Sequence, residues 1–378
     1  MNSENLIPYS PLLYQFSKMK IFDSQNAEDK ETGLQLIAGD ASDRKFYRLL
    51  NDKKNQKAIC MQFPKWTGGY GGDPISWIGM QNYLSSLHIP VPKILEIDES
   101  SACIWTEDLG DTFLGNILPN QKLDLNQLKC KNVIEKYKKS LDLLIQIQYP
   151  NQILDCPAHS RFFDFEKLFF EMNFFITHFL NGFLNLNYDE KNQKELFSDI
   201  KSLCEKLSTA DKVLCHRDYH IRNIMIYKED IYWIDFQDAR MGAHTYDVAS
   251  LLRDSYVDMT KETRDYLFKY YYEKLNEKRK ISQLNSLSFS ELKLEFLLMS
   301  IQRNIKAIGS FGYLATQKNK LNYLKYILPT LLMINQPEAY LHEEINLKIM
   351  LPYLYRLVEE LCTGKLNKVL MDNLNVRG

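Results

Sequence analysis

One short segment of the chain, HRDYHIRNIMIYKEDIYWIDFQDA (residues 216–239), holds the side chains with the clearest chemical potential. Asp218 and Asn223 stand five positions apart, and Asp235 follows Asn223 by twelve. A carboxylate can orient and deprotonate a substrate hydroxyl, while an amide oxygen and a second carboxylate can hold Mg²⁺ against nucleotide phosphates. The spacing therefore predicts phosphoryl transfer, with Asp218 as general base or hydroxyl-positioning group and Asn223 and Asp235 as metal ligands. We expect His216 to brace the backbone of this catalytic segment.

The sequence between these residues predicts the element that positions them. Two β-rich apolar runs, residues 224–227 and 231–234, flank the turn 228–230, which predicts a hairpin. Such a hairpin returns Asp235 towards Asn223. In a plainer interpretation these polar residues only cap and turn an ordinary hairpin. That interpretation suits one such residue better than three at matching offsets.

The bulk composition argues against several classes of protein. With 45% hydrophobic and 25% charged residues, the chain resembles a globular protein, and a net charge of -1 argues against nucleic acid as the main partner. No apolar run approaches the roughly 18–20 residues that span a bilayer. The N-terminus has no basic start followed by an apolar core, so we expect no signal peptide. The seven cysteines are scattered without a CxxC pair, which predicts reduced thiols in a cytoplasmic protein. We also expect a monomer without membrane contacts.

The composition changes along the chain. Up to about residue 110, strand-like runs alternate with turn residues, and residues 74–87 read as a helix opened by proline. The predicted strands are residues 45–50, 58–63, 94–97 and 102–106, with 213–215 in a later β-rich island. Beyond about residue 120 the apolar spacing is helical. The predicted helices are residues 125–148, 162–183, 190–207, 247–256, 261–275, 290–308, 320–334 and 341–361.

HRDYHIRN followed by IDFQDA resembles the aminoglycoside phosphotransferase/choline kinase superfamily, which shares the catalytic core of the protein kinases. His220 is usual at its position in that superfamily, and no Ala-Pro-Glu segment follows Asp235, which argues against a protein kinase. The resemblance implies an α+β, two-lobed protein-kinase-like fold. Its small β-rich N-lobe would cover residues 1–108, and its large helical C-lobe would cover 109–378. It also implies ATP and Mg²⁺ as cofactors.

Five blocks, in order along the chain, look like the bacterial N-acetylmuramate/N-acetylglucosamine anomeric kinases of cell-wall amino-sugar recycling. They are residues 40–48, 106–110, 235–239, 245–256 and 302–309. This likeness implies an ATP-dependent sugar kinase that phosphorylates the anomeric hydroxyl of one of these amino sugars. Two alternatives stay open. One is a kinase of another small alcohol (choline, an aminoglycoside or a different hexose), and the other is a nucleotide-binding regulator without activity.

On the nucleotide side, the resemblance implies a hinge and a phosphate-covering turn. Glu107 and Leu109 belong to the expected hinge, which holds the purine through backbone hydrogen bonds. Small residues form the expected turn, where backbone N–H groups can approach phosphate: Gly39, Asp40, Ala41 and Ser42.

The lysine that normally pairs with phosphate from the third strand is missing, and Gln62 stands near its place. Arg44 and Arg48 are the best-placed replacements, ahead of Lys57 and Lys65. The helix at 74–87 contains no glutamate, so the usual lysine–glutamate pair is not expected either. The missing lysine is what motivates the inactive-regulator alternative.

On the acceptor side, the resemblance implies a set of substrate-binding residues around the catalytic segment: His220, Arg222, Gln237, Asp238, Arg253, Asp254 and Arg303. For the last three, a solvated helix face is the competing interpretation. Asp247 has two candidate roles, as the cap of its helix or as the residue that holds the catalytic loop.

Overall fold

The computed structural model describes residues 32–37, 44–51, 58–67, 73–152, 155–186, 189–335 and 347–377. Residues 39–42, the predicted phosphate-covering turn, lie outside this range. The chain separates into two compact units. The first unit contains residues 1–112, 154–157 and 224–238, and the second contains residues 113–153, 158–223 and 239–378.

Strands and helices are labelled in chain order. The strands are β1 (Thr32–Ile37), β2 (Lys45–Asn51), β3 (Ala58–Gln62), β4 (Ile94–Asp98), β5 (Cys103–Glu107), β6 (Val213–Cys215), β7 (Ile224–Tyr227), β8 (Asp230–Trp233) and β9 (Arg240–Gly242). The α-helices are α1 (Pro74–Ser86), α2 (Lys131–Gln148), α3 (Phe165–Phe175), α4 (Glu190–Ser208), α5 (Tyr246–Leu252), α6 (Lys261–Ile281), α7 (Phe289–Gln317), α8 (Ile327–Asn335), α9 (Leu347–Met350), α10 (Pro352–Cys362) and α11 (Lys365–Arg377).

The first unit is built on a five-stranded antiparallel sheet with the order β1-β2-β3-β5-β4. Cys60 in β3 pairs with Tyr47 in β2 and with Trp105 in β5, and these three buried side chains belong to its core. Period-two patterning places such residues on one face of a sheet. Strands β2 to β5 lie within one or two residues of their predicted positions. Strand β1 is the strand-like run expected before residues 39–42, for which no bounds were predicted.

Strands β7 and β8 form the predicted hairpin, with Ile224 opposite Trp233. Its turn is shorter than predicted, because only Lys228 and Glu229 connect the strands, with φ of 49° and 63°. Two left-handed residues in succession match the twist of the flanking strands. The second strand therefore begins at Asp230, one residue earlier than predicted.

Helix α1 begins with the predicted proline. Asp73 caps it by accepting a hydrogen bond from the backbone N–H of Ser76 at 2.9 Å. Trp77 on the same helix is buried, and its ring lies 5.3 Å from that of Phe236 between centroids. Because Phe236 directly follows Asp235, this packing holds the backbone from which the Asp235 carboxylate projects.

In the second unit several helices have other bounds than predicted. The predicted helix 162–183 is α3 followed by a π-helical stretch, Ile176–Asn181. The predicted helix 247–256 ends at Leu252, so Arg253 and Asp254 lie in the turn that follows. Within the part of the chain that the structure describes, no helix is long and apolar enough to cross a membrane.

Helix α7 has 29 residues, continues well past its predicted end and contains the whole 302–309 block. It passes close to α3, because a Cβ built on Gly309 would lie 2.7 Å from the Cα of Phe175. A Cβ on Gly312 would lie 2.7 Å from the backbone oxygen of His178. These contacts are with backbone atoms, so only glycine permits this approach of the two helices.

We expect Gly309→Ala to destabilise the protein by about 1–3 kcal/mol, because the added methyl group must displace the backbone of α3. At an unconstrained helical position the same change would stabilise by about 1 kcal/mol. Urea denaturation of the variant measures the difference. Thr316→Ala, on the same helix, is the control and should change the free energy of unfolding by less than about 0.5 kcal/mol. A stabilised Gly309→Ala protein would contradict the close approach.

Candidate active site

The catalytic segment in the second unit begins in a strained loop that a buried carboxylate holds. The backbone N–H groups of His216 and Arg217 donate to the two carboxylate oxygens of Asp247, at 2.5 and 3.0 Å. Arg217 has a φ of 87°, which is unfavourable for a side chain larger than glycine. Asp247 lies in the first turn of α5, but it holds the catalytic loop and does not cap the helix.

The other end of the loop is held in the same way. The carboxylate of Asp254 accepts hydrogen bonds from the backbone N–H groups of Ile221 at 3.0 Å and Tyr256 at 2.9 Å. His216 is buried at 2% exposure, and its ring lies 5.4 Å from that of Tyr219. Both aspartates are buried, and burial raises the pKa of each. The loop that carries Asp218 is therefore anchored at its start and at its end.

Three cations surround the carboxylate of Asp218. Its Oδ1 lies 3.5 Å from Lys306 Nζ and 3.7 Å from Arg303 Nη2, and its Oδ2 lies 4.0 Å from Arg217 Nε. Burial alone would raise the pKa of Asp218, but these cations hold the pKa well below its ordinary value. Asp218 is therefore ionised at neutral pH and ready to accept a hydrogen bond from a hydroxyl.

Lys306 also contacts a second carboxylate, which sequence reasoning missed. Its Nζ lies 3.4 Å from Glu171 Oε1. Gln302 Nε2 donates to the other oxygen of Glu171 at 3.0 Å, and the Tyr246 hydroxyl donates to it at 3.4 Å. Glu171 is only 3% exposed, and nothing in the spacing of α3 distinguishes it from a surface glutamate. Lys306 had one signal, its place in the 302–309 block.

Asp218 lines a pocket in the second unit that is bounded mainly by polar residues and has about 130 Å³ of space for water-sized molecules. Its lining residues include four of the predicted acceptor residues: His220, Arg253, Asp254 and Arg303. Arg253 and Asp254 are 3% and 6% exposed, so the solvated-face interpretation was wrong for them. It was wrong for Arg303 as well, because this side chain contacts Asp218 and donates to the Tyr246 hydroxyl at 2.8 Å.

Arg222 supports the wall of this pocket from outside. Its guanidinium carbon lies 3.7 Å from the ring centroid of Tyr256, which does line the pocket, and its Nη2 donates to the Tyr326 hydroxyl at 2.8 Å. Such stacking uses the planar face of arginine and leaves it little freedom. Arg222 itself is not among the pocket-lining residues.

Asn223 has a defined orientation in the same unit. Its side-chain nitrogen donates to the backbone oxygen of Asp218 at 2.9 Å. Because the nitrogen is used in this way, the side-chain oxygen is the atom that remains for a cation.

Asp235 lies in the first unit, where Arg44 neutralises it. It follows β8 with a φ of 62°, and its Oδ1 accepts hydrogen bonds from Arg44 Nη2 at 3.1 Å and Gln237 Nε2 at 2.9 Å. The Asp235 side chain is 40% exposed. Gln237 and Asp238 thus lie in the same unit as Asp235, and Gln237 helps to orient its carboxylate.

Arg48 has a different set of partners in the first unit. It contacts Asp108 Oδ2 at 2.7 Å through Nε and Asp111 Oδ1 at 2.8 Å through Nη2, and it also donates to the backbone oxygen of Gly110. These partners follow β5, in the predicted hinge. The Glu107 side chain also has a partner within this unit, since it accepts a hydrogen bond from the backbone N–H of Lys93 at 2.9 Å. Leu109, the other hinge residue, is buried.

We expect Asp247→Ala to lower stability by about 1–3 kcal/mol, because two backbone donors lose their buried acceptor. Turnover should fall by more than tenfold, since the strained loop is then free to relax. Denaturant unfolding and steady-state kinetics measure the two effects. Asp258→Ala, which removes an exposed aspartate 3.8 Å from Lys122, is the control. It should leave the free energy of unfolding and the turnover unchanged within experimental error. Full activity in Asp247→Ala would show that the loop keeps its conformation without this carboxylate.

Comparison with known proteins supports the sequence resemblance. The model of the phosphotransferase enzyme family (APH) matches residues 33–281. The N-acetylmuramate/N-acetylglucosamine kinase of Neisseria meningitidis is 26% identical over 301 residues, covering 78% of this chain and 82% of the relative. Ethanolamine kinase from Plasmodium vivax superposes with a TM-score of 0.57 at 14% identity, over 86% of this chain and 87% of the other. Amicoumacin kinase, solved with AMP-PNP, Ca²⁺ and its ligand, has a TM-score of 0.50 at 13% identity, over 80% and 87%.

These similarities confirm the predicted α+β protein-kinase-like fold, with a β-sheet in the N-terminal part and helices in the C-terminal part. The family match covers well over half of the chain. The chain belongs to the phosphotransferase enzyme family and is a phosphotransferase that acts on an alcohol group.

Proposed function

We propose that this protein transfers the γ-phosphoryl group of ATP to the anomeric hydroxyl of N-acetylmuramate or N-acetylglucosamine. One observation carries the proposal: the ionised carboxylate of Asp218 lines a polar pocket to which the 302–309 block contributes Arg303, Asn304 and Lys306. That block is one of the two, with residues 245–256, that point to the amino-sugar kinases. A relative that is 26% identical over 78% of the chain is named N-acetylmuramate/N-acetylglucosamine kinase.

The acceptor hydroxyl would donate its proton to Asp218. An anomeric hydroxyl is more acidic than an ordinary alcohol, because the ring oxygen withdraws electrons from the same carbon. A carboxylate whose pKa is held low is a weak base, and an acidic hydroxyl suits a weak base. An ionised Asp218 can therefore accept a hydrogen bond from an anomeric hydroxyl, as it could from another alcohol bound in the pocket.

The rest of the pocket offers polar partners to a sugar. The side-chain nitrogen of Asn304 donates to the backbone oxygen of Arg253 at 2.8 Å, which leaves its oxygen to accept from a sugar hydroxyl or an acetamido N–H. Ser255 and Ser310 add hydroxyl groups to the lining, and Phe311 adds an aromatic surface. Few, well-placed polar groups of this kind determine the orientation of a small ligand. We place the acceptor sugar against these residues and His220, Arg253 and Arg303.

We propose Asn223 and Asp235 as the protein ligands of Mg²⁺. Among the described residues no cluster of three or more His, Cys, Asp or Glu could hold a metal ion. Mg²⁺ in a nucleotide site typically takes one or two protein ligands together with phosphates and water. The oriented oxygen of Asn223 and the exposed carboxylate of Asp235 fit this role. When bound, the ion neutralises charge on the β- and γ-phosphates.

We propose Arg44 as the replacement for the missing phosphate-binding lysine. Arg48 is occupied by two aspartates of the hinge, whereas Arg44 contacts Asp235, the proposed metal ligand, at 3.1 Å. A guanidinium at this carboxylate lies where nucleotide phosphates must also bind. Residues 39–42 would cover the phosphates through their N–H groups, and the backbone around Glu107 and Leu109 would bind the purine.

The inactive-regulator alternative is less favoured by the site. Asp218, Asn223 and Asp235 are all present, and the first two are oriented by neighbouring groups. An inactive relative would not need an acceptor pocket beside an ionised carboxylate.

The proposed function predicts which acceptor is phosphorylated. With Mg-ATP and a panel of N-acetylmuramate, N-acetylglucosamine, choline, an aminoglycoside and glucose, we expect turnover on the amino sugars, with phosphate on the anomeric oxygen by ³¹P and ¹³C NMR. Asp218→Asn should lower kcat by about 10²-fold or more, because it removes the proton acceptor. Phosphorylation of choline or the aminoglycoside instead would overturn the sugar assignment, and no turnover on any acceptor would favour the regulator.

The two arginines should have different effects on the nucleotide. Arg44→Ala should raise the KM for ATP at least tenfold and leave the KM for the sugar unchanged, because it removes a charge-assisted contact to phosphate worth about 1.5–3 kcal/mol. Arg48→Ala should mainly lower thermal stability, since it frees the hinge aspartates. Kinetics with varied ATP separates the two. If Arg48→Ala has the larger effect on the KM for ATP, Arg44 is not the phosphate-binding residue.

A further inference from the structure

We propose that Lys306 is a catalytic residue whose ammonium group contacts the phosphoryl group during its transfer to the hydroxyl at Asp218. The inference rests on the proposed role of Asp218 but not on the identity of the acceptor. Lys306 belongs to α7 and lies 88 residues along the chain from Asp218, so the spacing within residues 216–239 does not reveal it.

The position of Lys306 carries the first step of the argument. Its Nζ lies 3.5 Å from Asp218 Oδ1, and the residue lines the same pocket. The phosphorus atom must come within bonding distance of the hydroxyl oxygen that Asp218 holds. A cation this close to Oδ1 is therefore within reach of the equatorial phosphoryl oxygens, where charge is concentrated in the transition state.

The second step rests on the balance of charge around Lys306. Around Lys306 stand Glu171 from α3, Asp218 and Arg217 from the catalytic loop, Arg303 from its own helix and the Tyr246 hydroxyl from α5.

Asp247, which holds the start of the loop, is a further carboxylate near this cluster, because it interacts electrostatically with Arg303 and Asp218. Among the charged groups that line the pocket itself, two carboxylates (Asp218 and Asp254) face three cations (Arg253, Arg303 and Lys306), so the ammonium leaves the lining with one net positive charge. The other titratable residues of the lining are His220 and Tyr256. Asp218 already has two other cations beside it, so a third is more than its own charge requires. A net positive charge in a mostly buried site favours the arrival of an anion.

Glu171 explains how the ammonium persists there. The Lys306 side chain is 15% exposed, and burial lowers its pKa to about 8. Buried Glu171 has its Oε1 3.4 Å from Nζ, and its other oxygen accepts a hydrogen bond from Gln302 Nε2. It thus stabilises the charged form of Lys306 without entering the pocket, and we regard it as a positioning residue.

In the transfer step the bond between the γ-phosphorus and the oxygen that bridges it to the β-phosphate breaks, and ADP leaves with the electron pair. A new bond forms between phosphorus and the acceptor oxygen, and the acceptor proton passes to Asp218 and then to water. Lys306 keeps its proton throughout. It acts as a fixed cation and not as an acid.

The test compares Lys306→Met and Lys306→Arg with the parent protein on whichever acceptor of the panel is turned over. We expect Lys306→Met to lower kcat by about 10²- to 10³-fold, the loss typical of removing one transition-state donor, with the KM of the acceptor changed less than about threefold. Lys306→Arg should recover at least a tenth of the parent kcat. The matched control is Lys293→Met, which removes a lysine on the same helix that pairs with Asp265 at 2.9 Å outside the pocket. It should keep the parent kcat.

The pH profile of kcat separates a catalytic role from a structural one. In the parent protein kcat should fall as the pH rises through about 8, since the ammonium then loses its proton. In Lys306→Arg this alkaline decline should disappear up to pH 9.5, because arginine keeps its charge. Lys306→Met with a kcat within threefold of the parent, or an unchanged alkaline decline in Lys306→Arg, would overturn the inference. If Lys306→Met does not fold, the comparison of the parent with Lys306→Arg decides alone. Turnover of choline in place of an amino sugar would refute the sugar assignment and leave this test intact.

Discussion

The candidate active site depends on one kind of interaction, in which two buried aspartates accept hydrogen bonds from backbone N–H groups. Asp247 holds the start of the catalytic loop and Asp254 holds its end. The loop has no regular hydrogen-bonding ladder of its own, and the left-handed backbone at Arg217 would relax without these acceptors. Charge-assisted bonds to backbone donors are stronger than neutral ones, which suits them to hold a strained segment.

Because the loop is anchored, the charged groups around Asp218 can hold its carboxylate in one orientation. A cluster of buried carboxylates and cations contributes little to stability, because the cost of removing charges from water offsets most of their attraction. Its value lies in orientation, since each group restricts its neighbours. Glu171 and Lys306 come from α3 and α7, so the cluster forms only because Gly309 lets these helices approach within the space of a missing Cβ. The packing of α3 against α7 therefore also determines the electrostatics of the site.

The first unit shows how two arginines close in sequence take different tasks. Arg48 points along the sheet towards the hinge and is bound by Asp108 and Asp111. Arg44 precedes the same strand but reaches Asp235. In a strand, residues four positions apart face the same side. Arg44 lies before β2 begins at Lys45, so this alternation does not apply to it, and its side chain can reach a different carboxylate from that of Arg48.

The sequence by itself determined the chemistry and much of the local structure. Asp218, Asn223 and Asp235 could be found because their spacing reflects a hairpin, and a hairpin is a local structure whose strands and turn are read from neighbouring residues. The strands of the first unit were found for the same reason. Helix ends were predicted less well. The helix that carries Asp247 stops at Leu252, because Asp254 turns back to bind the loop.

Tertiary structure alone decided which groups surround Asp218. Glu171 and Lys306 look like surface residues in sequence, since an amphipathic pattern does not tell which charged side chain will face another element. Their contacts depend on the rotation and spacing of α3 and α7, which are set by packing across long sequence separations. Conversely, Arg303 and Asp254 were expected near the acceptor, but only the structure showed that one neutralises Asp218 while the other holds its loop. Spacing identifies the candidate reacting groups, and packing determines the charges that act on them.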